Sequence, residues 1–322
     1  MSIQGRNEFA SKKVIFVTGA TGCIGRYTLD LLVKMPNVEI HLLVRDPLKV
    51  PKEIHQYQYV FVHQGDLSII QKQSHVLKRV THVIHLATAW GDSEEASALN
   101  RDKTLEMLSL CDPHCLERIV YFSTASILSE DNRPMPECDT LGTGYIRSKY
   151  RAYVALKNSP LADKIVTIFP TFVFGGDSQH PYSHISEGLL PHASFAKWLR
   201  FVYLDATFHF MHARDIATMT LYALQSKQVA ADVVVGQRVC TGKQALQILC
   251  RWAGYRVWFQ LKIPPSLLVL LARLLRIRLS SWDQFCISHP FFKYQVLNPE
   301  SIGAISAFPT LHCLLDDIRQ SK

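Results

Sequence analysis

The chain has 322 residues, of which 48% are hydrophobic and 19% charged, and its net charge is +8. This length fits one large domain with a smaller appended lobe, and the composition excludes a disordered chain. Because the sequence has no block of five Lys or Arg residues and no nucleic-acid motif, we expect no nucleic-acid partner and assign the basic excess to an anionic small molecule.

Short apolar segments rich in β-branched residues alternate with segments of helical periodicity in the first half of the chain. The predicted strands are Val14–Thr18, Glu39–Val44, Tyr59–His63, His82–Leu86, Arg118–Phe122 and Ile165–Phe169. The predicted helices between them are Ile24–Lys34, Ser68–Lys78, Glu94–Leu110 and Thr143–Lys157. Helical connections of this length predict an α/β fold with a doubly wound parallel sheet.

The alternation stops after Gly175, where residues 176–207 are rich in His, Ser and aromatic side chains. A helix is predicted again at Asp215–Gln225, and prolines punctuate the remaining chain. We therefore predict two units. Residues 1–175 with 208–234 form the sheet domain, and residues 176–207 with 235–322 form a smaller lobe.

The most apolar stretch of the smaller lobe, Leu267–Leu279, is interrupted by three arginines. It is shorter than the roughly 20 residues that a membrane-spanning helix needs, so we predict no transmembrane segment. We interpret this stretch as a core-facing helix of the lobe. The alternative is an amphipathic helix that lies on a membrane surface.

The eight cysteines are scattered along the chain, and the closest pair is Cys111 and Cys115. Since no second pair completes a zinc site, we predict no bound metal. Residues 1–12 are polar and lack the apolar core of a secretion signal. Reduced thiols and a cytoplasmic location are therefore expected.

The first predicted strand leads into the glycine-rich segment TGATGCIG at residues 18–25, and a predicted helix follows. Glycines spaced as G-x-x-G-x-x-G allow backbone amides to approach a pyrophosphate, while the helix N-terminus faces the anion. Because the strand and the helix stand where this mechanism needs them, the segment predicts dinucleotide binding.

This segment resembles the fingerprint of the extended short-chain dehydrogenases/reductases, the NAD-dependent epimerase/dehydratase family. Further segments match that family in the same order: GDL at 65–67, HLA at 85–87, the helix carrying Asn100, YFSTAS at 121–126, YIRSK at 145–149, PTFVFG at 170–175 and HARDIA at 212–217. The resemblance implies a Rossmann domain with a C-terminal substrate lobe. It assigns cofactor contacts to Gly19, Thr21, Gly22, Cys23, Ile24, Gly25, Arg45, Asp66, Leu67, Leu86, Ala87, Lys149, Pro170 and Val173.

Tyr145 and Lys149 lie four residues apart, so on a helix they share one face. A free tyrosine has a pKa of about 10, and a nearby ammonium favours the phenolate. Tyr145 could then exchange a proton with a substrate oxygen as a general acid or base. The resemblance completes the catalytic set, which is Tyr145, Lys149, Thr124 and Asn100. Ser123 and Ser126 remain alternatives to Thr124 as the hydroxyl that holds the substrate oxygen.

The same spacing occurs again at Tyr153 and Lys157. This second pair lies about 12 Å further along the predicted helix, too far from a substrate held by Thr124. A serine directly before Lys149, as in the family, also favours the first pair. We therefore assign the proton exchange to Tyr145 and a packing role to Tyr153.

Arg45 follows the second predicted strand, where NAD-preferring proteins usually carry a carboxylate for the ribose hydroxyls. A guanidinium can instead pair with the 2′-phosphate of NADP(H), so NADP(H) is the expected cofactor. NAD(H) remains the alternative, because Asp46 could supply the carboxylate one position later.

The substrate side is indicated only by position. The resemblance places four residues on segments that face the substrate, namely Thr88, Trp90, Tyr182 and His184. Nucleotide-sugar epimerases of the family often have an arginine four residues before the histidine of the late motif, and here that position is Phe208. This difference speaks against a nucleotide-sugar substrate.

These observations predict an NADP(H)-preferring oxidoreductase that acts on the carbonyl or secondary alcohol of a small, mainly apolar molecule. The first alternative is an NAD-dependent nucleotide-sugar epimerase or dehydratase. The second is a non-catalytic regulator that senses the dinucleotide, although such a protein needs no proton donor. The sequence leaves the substrate and the oligomeric state open, with a homodimer among the possibilities.

Overall fold

A computed structural model describes residues 12–89, 94–189 and 191–320. The strands are β1 (Lys13–Thr18), β2 (Val38–Val44), β3 (Val60–Gln64), β4 (His82–His85), β5 (Arg118–Phe122), β6 (Ile165–Pro170), β7 (Phe172–Phe174), β8 (Val202–Leu204), β9 (Thr207–Phe208), β10 (Phe210–His212), β11 (Asp232–Val235), β12 (Cys240–Thr241) and β13 (Leu261–Ile263). The helices are α1 (Cys23–Leu32), α2 (Ser74–Leu77), α3 (Glu94–Ser109), α4 (Glu137–Thr140), α5 (Gly144–Lys157), α6 (His184–Leu189), α7 (Ala196–Leu199), α8 (Ala213–Gln225), α9 (Gly242–Trp252), α10 (Pro265–Leu274), α11 (Ser281–Ser288) and α12 (Leu311–Gln320).

Seven strands form one sheet in the order β11-β6-β5-β4-β1-β2-β3. Every neighbouring pair in this sheet is parallel. The strands therefore end at the same edge, and the order reverses direction at β1, where α/β proteins of this class bind ligands. The predicted α/β fold with a doubly wound parallel Rossmann sheet is confirmed.

The sheet is covered on both faces, because its strands are buried on both sides. On one face, Leu29 and Leu32 of α1 pack with Ile216 and Met219 of α8. On the other face, Met107 of α3 lies in a cluster with residues of α5 and of the strands. The active-site residues on α1, α3 and α5 are thus held by packed helices.

The prediction of a single helix at Ser68–Lys78 is wrong. A 3-10 helix spans Leu67–Gln73, and α2 follows with only four residues. Leu67 and Ile70 are buried at a spacing of three residues. That spacing matches the three residues per turn of a 3-10 helix and explains the tighter form.

The smaller lobe contains the pair β8 and β13 and the helices α9 to α12. The prediction of a core-facing helix in Leu267–Leu279 holds only on one side of α10. Ala272 is buried, whereas Leu274 and Leu275 are each 70% exposed. None of the helices in the described residues is long and apolar enough to cross a membrane.

Candidate active site

The glycine-rich turn after β1 is shaped by two glycines. Gly19 has φ of +76°, and a Cβ atom there would lie 2.7 Å from the amide nitrogen of Ala87. A Cβ atom on Gly25 would collide with the carbonyl oxygen of Gly19. Both positions therefore exclude larger residues, so the turn, α1 and the end of β4 come together closely.

The N-terminus of α1 fits a diphosphate. Gly22 caps the helix without a side-chain hydrogen bond, and the first turn of α1 carries no acidic residue. The half-buried Thr21, Cys23 and Ile24 surround the exposed Gly22. An anion at this position would meet the positive end of the helix dipole and no opposing carboxylate from its first turn.

At the ends of β2 and β3, two acidic side chains cap short 3-10 helices. Asp46 accepts a hydrogen bond from the Leu48 amide at 3.0 Å, and Asp66 accepts one from the Ser68 amide at 2.8 Å. The hydrogen bond from the Ser68 side chain lowers the pKa of Asp66, and the charge of Arg45 lowers it further. Arg45 itself is exposed, and Leu67 has its side chain in the core rather than toward a ligand.

A chain of buried polar groups holds the end of β4. The Thr18 hydroxyl lies 2.7 Å from Nδ1 of His85, and Nε2 of His85 lies 2.9 Å from the Thr104 hydroxyl. Burial, and secondly the charge of Lys149, lowers the pKa of His85 to about 3, so this imidazole is neutral. The chain fixes Leu86 and Ala87 beside Gly19, since the Leu86 amide also donates to the Thr18 carbonyl at 3.1 Å.

Sequence reasoning missed this role of His85. The available signal was a histidine between apolar residues at the end of a buried strand, where a polar side chain needs partners.

Asn100 joins the segment after β4 to α5. Its Oδ1 accepts from the Ala89 amide at 2.8 Å and from the Thr88 hydroxyl at 3.1 Å. Its Nδ2 donates to Oγ of Ser148 at 2.9 Å, and Ser148 donates to the carbonyl oxygen of Tyr145 at 2.8 Å. The buried amide is therefore a positioning group for the turn of α5 that carries Tyr145.

Lys149 is buried at the carboxyl end of β5. Its Nζ donates to the Phe122 carbonyl oxygen at 2.8 Å and lies 5.3 Å from the centre of the Tyr121 ring. Burial lowers the pKa of Lys149 to about 7. An ammonium at this position is costly, so an approaching polar or anionic ligand would stabilise it.

Tyr145 meets Thr124 at the same edge of the sheet. Burial raises the pKa of Tyr145 to about 12, and the hydrogen bond with the Thr124 side chain opposes that rise. Burial thus has a larger effect than the ammonium on which the sequence argument relied. At neutral pH the phenol keeps its proton and is suited to donating it.

The two alternative hydroxyls differ from Thr124. Ser123 is buried, and its hydroxyl is among the side-chain atoms without a hydrogen-bond partner in the described part of the chain. Ser126 accepts a hydrogen bond from the Thr124 hydroxyl at 3.3 Å. Of the three, Thr124 is the one whose bond to Tyr145 affects the pKa of that tyrosine.

Tyr153 and Lys157 have other partners. The Tyr153 hydroxyl donates to Oδ2 of Asp232 at 3.0 Å, and Lys157 forms an ion pair with the same oxygen at 2.9 Å. The Tyr153 ring also packs edge-on against Phe169 at 5.4 Å. This pair connects α5 to β11.

The four residues expected on the substrate side have different surroundings. Trp90 lies outside the described residues, and Thr88 is engaged by Asn100. Tyr182 packs against the backbone of Gly176, and His184 is exposed at the start of α6.

Two further segments border the site. Pro170 ends β6, and Val173 is half-buried in β7. Phe208 on β9 packs edge-on against Phe172, with ring centres 5.4 Å apart. An aromatic contact thus takes the position where a cationic side chain is common in the sugar-nucleotide enzymes of the family.

Sequence reasoning also missed a polar cluster that fastens the segment after β7 to α1. The His180 ring stacks on Tyr27 at 3.8 Å. Its Nδ1 lies 2.8 Å from Asp177, and its Nε2 lies 2.8 Å from Asp30. Because these residues are far apart in the chain and belong to no motif, only the folded structure reveals the cluster.

Comparison with protein families gives one match that covers most of the chain. The model of the NAD dependent epimerase/dehydratase family matches residues 15–236. A curated relative, a hybrid PKS-NRPS synthetase (ucsA) from Acremonium sp, is 27% identical over 230 residues. That match covers 63% of this chain but only 6% of the relative.

Solved structures share the fold over nearly the whole chain. The structure of gox2253 has a TM-score of 0.70 at 20% identity and covers 96% of this chain and 98% of its own. The terminal R domain from the myxalamid PKS-NRPS pathway has a TM-score of 0.69 at 15% identity, covering 97% and 90%. The dTDP-glucose 4,6-dehydratase of Bacillus anthracis, in complex with NAD, has a TM-score of 0.63 at 15% identity, covering 96% of both chains. At these identities the similarity establishes the fold.

Proposed function

Because this chain belongs to the NAD dependent epimerase/dehydratase family, we propose that it transfers hydride between NADP(H) and a carbonyl or secondary alcohol. The substrate would be a small, mainly apolar molecule. Its proton exchange would use Tyr145, with Lys149 and Thr124 beside it and Asn100 as the positioning residue.

The dinucleotide fits the residues at the sheet edge. The close approach at Gly19 and Gly25 leaves backbone for the diphosphate, and the N-terminus of α1 faces it. Leu86, Ala87, Pro170 and Val173 would line the nicotinamide side, and Lys149 would contact its ribose. When bound, the reduced nicotinamide supplies the hydride that adds to the carbonyl carbon.

The residues of the chain supply the proton. The carbonyl oxygen would accept a hydrogen bond from Tyr145 and a second one from Thr124. As negative charge develops on that oxygen, the phenol donates its proton, and the Lys149 ammonium stabilises the phenolate that remains. In the opposite direction the phenolate would accept the proton of an alcohol.

The observation that carries the proposal is the buried Tyr145 hydroxyl bonded to Thr124, one helical turn from the buried Lys149. Its test is a screen of apolar aldehydes, ketones and secondary alcohols, monitored by the absorbance of NADPH. Turnover with freely exchanging NADPH is expected. Binding of NADPH without turnover of any of them would instead favour the non-catalytic regulator.

The preference for NADP(H) rests on Arg45. Asp46 supports it indirectly, since that carboxylate already caps a 3-10 helix. A charge-assisted hydrogen bond to the 2′-phosphate should give NADPH about a tenfold tighter binding than NADH, less at high salt. Titrating both cofactors into the wild type and into Arg45→Ala tests this, with Arg133→Ala, another exposed arginine, as the control. Equal or tighter NADH binding by the wild type would refute the preference.

The second candidate is an NAD-dependent nucleotide-sugar epimerase or dehydratase. The family match and solved neighbours such as WbmG in complex with NAD and UDP favour it. Phe208 in its aromatic contact speaks against it. Calorimetry with UDP- and dTDP-sugars separates the two. Micromolar binding of any of them, or NAD that remains bound through purification, would favour the epimerase.

A further inference from the structure

The basic charge of the chain is concentrated in the smaller lobe. Between Asp232 and Asp283 the sequence contains no Asp or Glu. The same stretch contains eight basic residues, which are Arg238, Lys243, Arg251, Arg256, Lys262, Arg273, Arg276 and Arg278. This local excess equals the net charge of +8 of the whole chain.

Large apolar side chains are exposed in the same lobe. We define the basic apolar surface by its most exposed members, which are Trp198, Trp258, Phe259, Leu261, Leu270, Leu274, Leu275 and Ile277. Trp258 is 78% exposed. Scattered single apolar residues are ordinary on a protein surface, but a contiguous group of this size indicates an interaction site.

The members of this surface are structurally adjacent. Strand β13 pairs with β8, with Leu261 opposite Val202. The rings of Phe201 and Phe259 lie 5.6 Å apart. Helix α10 follows β13 directly, since the Leu267 amide donates to the Pro264 carbonyl. The aromatic part and the leucine part therefore form one continuous region.

We propose that the basic apolar surface docks on an anionic lipid bilayer, with α10 lying in the plane of the interface. The ten residues of α10 extend for about 15 Å, which is too short to cross a bilayer but suits a helix buried in its interface. Tryptophan side chains favour this depth because they are apolar with one polar group.

The charges favour a bilayer over a protein partner. Arg273, Arg276 and Arg278 alternate with the exposed leucines and the isoleucine instead of forming a separate rim. Long arginine side chains can leave the leucines in the acyl region while their guanidinium groups reach lipid phosphates. Lys262 is already paired with Asp205, so the arginines supply most of the attraction.

The surface also connects to the candidate active site. Helix α11 contacts α10, and its Trp282 and Phe285 pack in the same apolar cluster as Tyr145. Docking would thus hold the catalytic lobe close to the lipid. The docking proposal itself depends on neither the reaction nor the cofactor.

Vesicle flotation with the full chain tests the proposal. The probes are vesicles of phosphatidylcholine alone and vesicles of phosphatidylcholine with an equal amount of phosphatidylglycerol. The wild type should float with the anionic vesicles and dissociate as the salt concentration rises. Absence of flotation with the anionic vesicles at low salt would overturn the proposal.

Two variants separate the contributions. Arg273→Gln/Arg276→Gln/Arg278→Gln should reduce partitioning to anionic vesicles roughly a hundredfold, since each basic residue near such a surface contributes about 1 kcal/mol. Leu274→Ser/Leu275→Ser should reduce it at least about tenfold, since both side chains lose apolar contact with the acyl region.

Matched controls remove the same chemistry elsewhere. Lys72→Gln/Lys78→Gln/Lys227→Gln removes three exposed charges, and Leu48→Ser/Ile305→Ser removes two exposed apolar side chains. Both controls should bind like the wild type. Equal losses in a control and in its matched test variant would overturn the proposal.

Two further measurements distinguish lipid docking from misfolding of the variant and from self-association of the chain. NADPH binding by Leu274→Ser/Leu275→Ser should equal that of the wild type, which shows that the fold is intact and separates docking from the proposed function. Sedimentation in the absence of lipid should show the same mass for both proteins. A wild-type oligomer that dissociates in this variant would assign the surface to a second copy of the chain and overturn the proposal.

Discussion

Helix α5 carries the same Tyr-x-x-x-Lys spacing twice, and the two pairs have different environments. Tyr145 and Lys149 are buried at the carboxyl edge of the sheet, where Thr124 and the Phe122 carbonyl are their partners. Tyr153 and Lys157 both bind Asp232 on β11. One pair contacts only neutral groups among these partners, whereas the other is neutralised by a carboxylate.

This difference shows that spacing alone does not define a catalytic pair. A helical repeat places the ammonium near the phenol in both cases. The surroundings then determine the chemistry, since a buried ammonium without a counter-charge can respond to a ligand and a paired one already has its partner. Each of the following substitutions changes one member of this comparison.

The largest effect is expected for the tyrosines. Tyr145→Phe should lower kcat by about 10² to 10⁴, because it removes the proton donor, while NADPH binding stays close to that of the wild type. Tyr153→Phe should leave kcat unchanged. Steady-state rates with an identified carbonyl substrate and fluorescence titration of NADPH measure the two quantities. Loss of turnover in Tyr153→Phe alone would reverse the assignment.

The lysines should differ in stability. Burial lowers the pKa of Lys149 to about 7 from 10.5, so the unfolded state binds more protons between these values and wild-type stability rises with pH there. Lys149→Met should therefore increase the free energy of unfolding by roughly 3 kcal/mol at pH 6 without cofactor. This gain should shrink as the pH approaches 10.

The matched variant is Lys157→Met. It removes a partly exposed ion pair and should destabilise the fold by less than about 1 kcal/mol. Urea unfolding at pH 6 and at pH 10 measures both variants. A gain for Lys149→Met that does not change with pH would contradict the idea that a buried ammonium limits stability.

Much of this arrangement could be predicted from the sequence, because local signals determine it. The glycine turn at 18–25 stands between a strand and a helix, and all six strands predicted before Gly175 are present in the sheet. The rest depended on contacts between distant residues. The bonds from Asn100 to Ser148, from Tyr153 to Asp232 and from His180 to Asp30 join elements whose proximity only the fold determines.

Exposure was also difficult to predict. Leu267–Leu279 is apolar enough for a core, and periodicity cannot show whether another element covers such a helix. Similarly, the sequence places an ammonium near Tyr145 but does not show how deeply both groups are buried. The direction of the pKa shift of Tyr145 therefore differed from the sequence argument.

Removing the partner of the first tyrosine tests the site more finely. Thr124→Val should lower kcat about tenfold, because the substrate oxygen loses one hydrogen-bond donor. It should also move the pKa of Tyr145 upward, since the Thr124 hydrogen bond lowers it. The pH dependence of kcat in the oxidative direction, which needs the phenolate, should shift to higher pH accordingly. Thr124→Ser, which keeps the hydroxyl, should restore the wild-type profile, and a failure to do so would exclude this role for the hydroxyl.

Asp232→Asn makes the corresponding change at the second tyrosine and should have the smallest effect. It retains a hydrogen-bond acceptor for Tyr153 but removes the charge that pairs with Lys157, so the loss of stability should be about 0.5 to 1 kcal/mol. Because Asp232 raises the pKa of Tyr153, the substitution makes the second pair chemically more similar to the first. If spacing and a free ammonium were sufficient, the Tyr145→Phe/Asp232→Asn double variant would regain turnover through Tyr153. We expect no recovery, since Tyr153 packs against Phe169 and binds β11, away from Thr124 and the sheet edge where the dinucleotide fits. Rates of the double variant that exceed those of Tyr145→Phe would show that position along α5 matters less than charge.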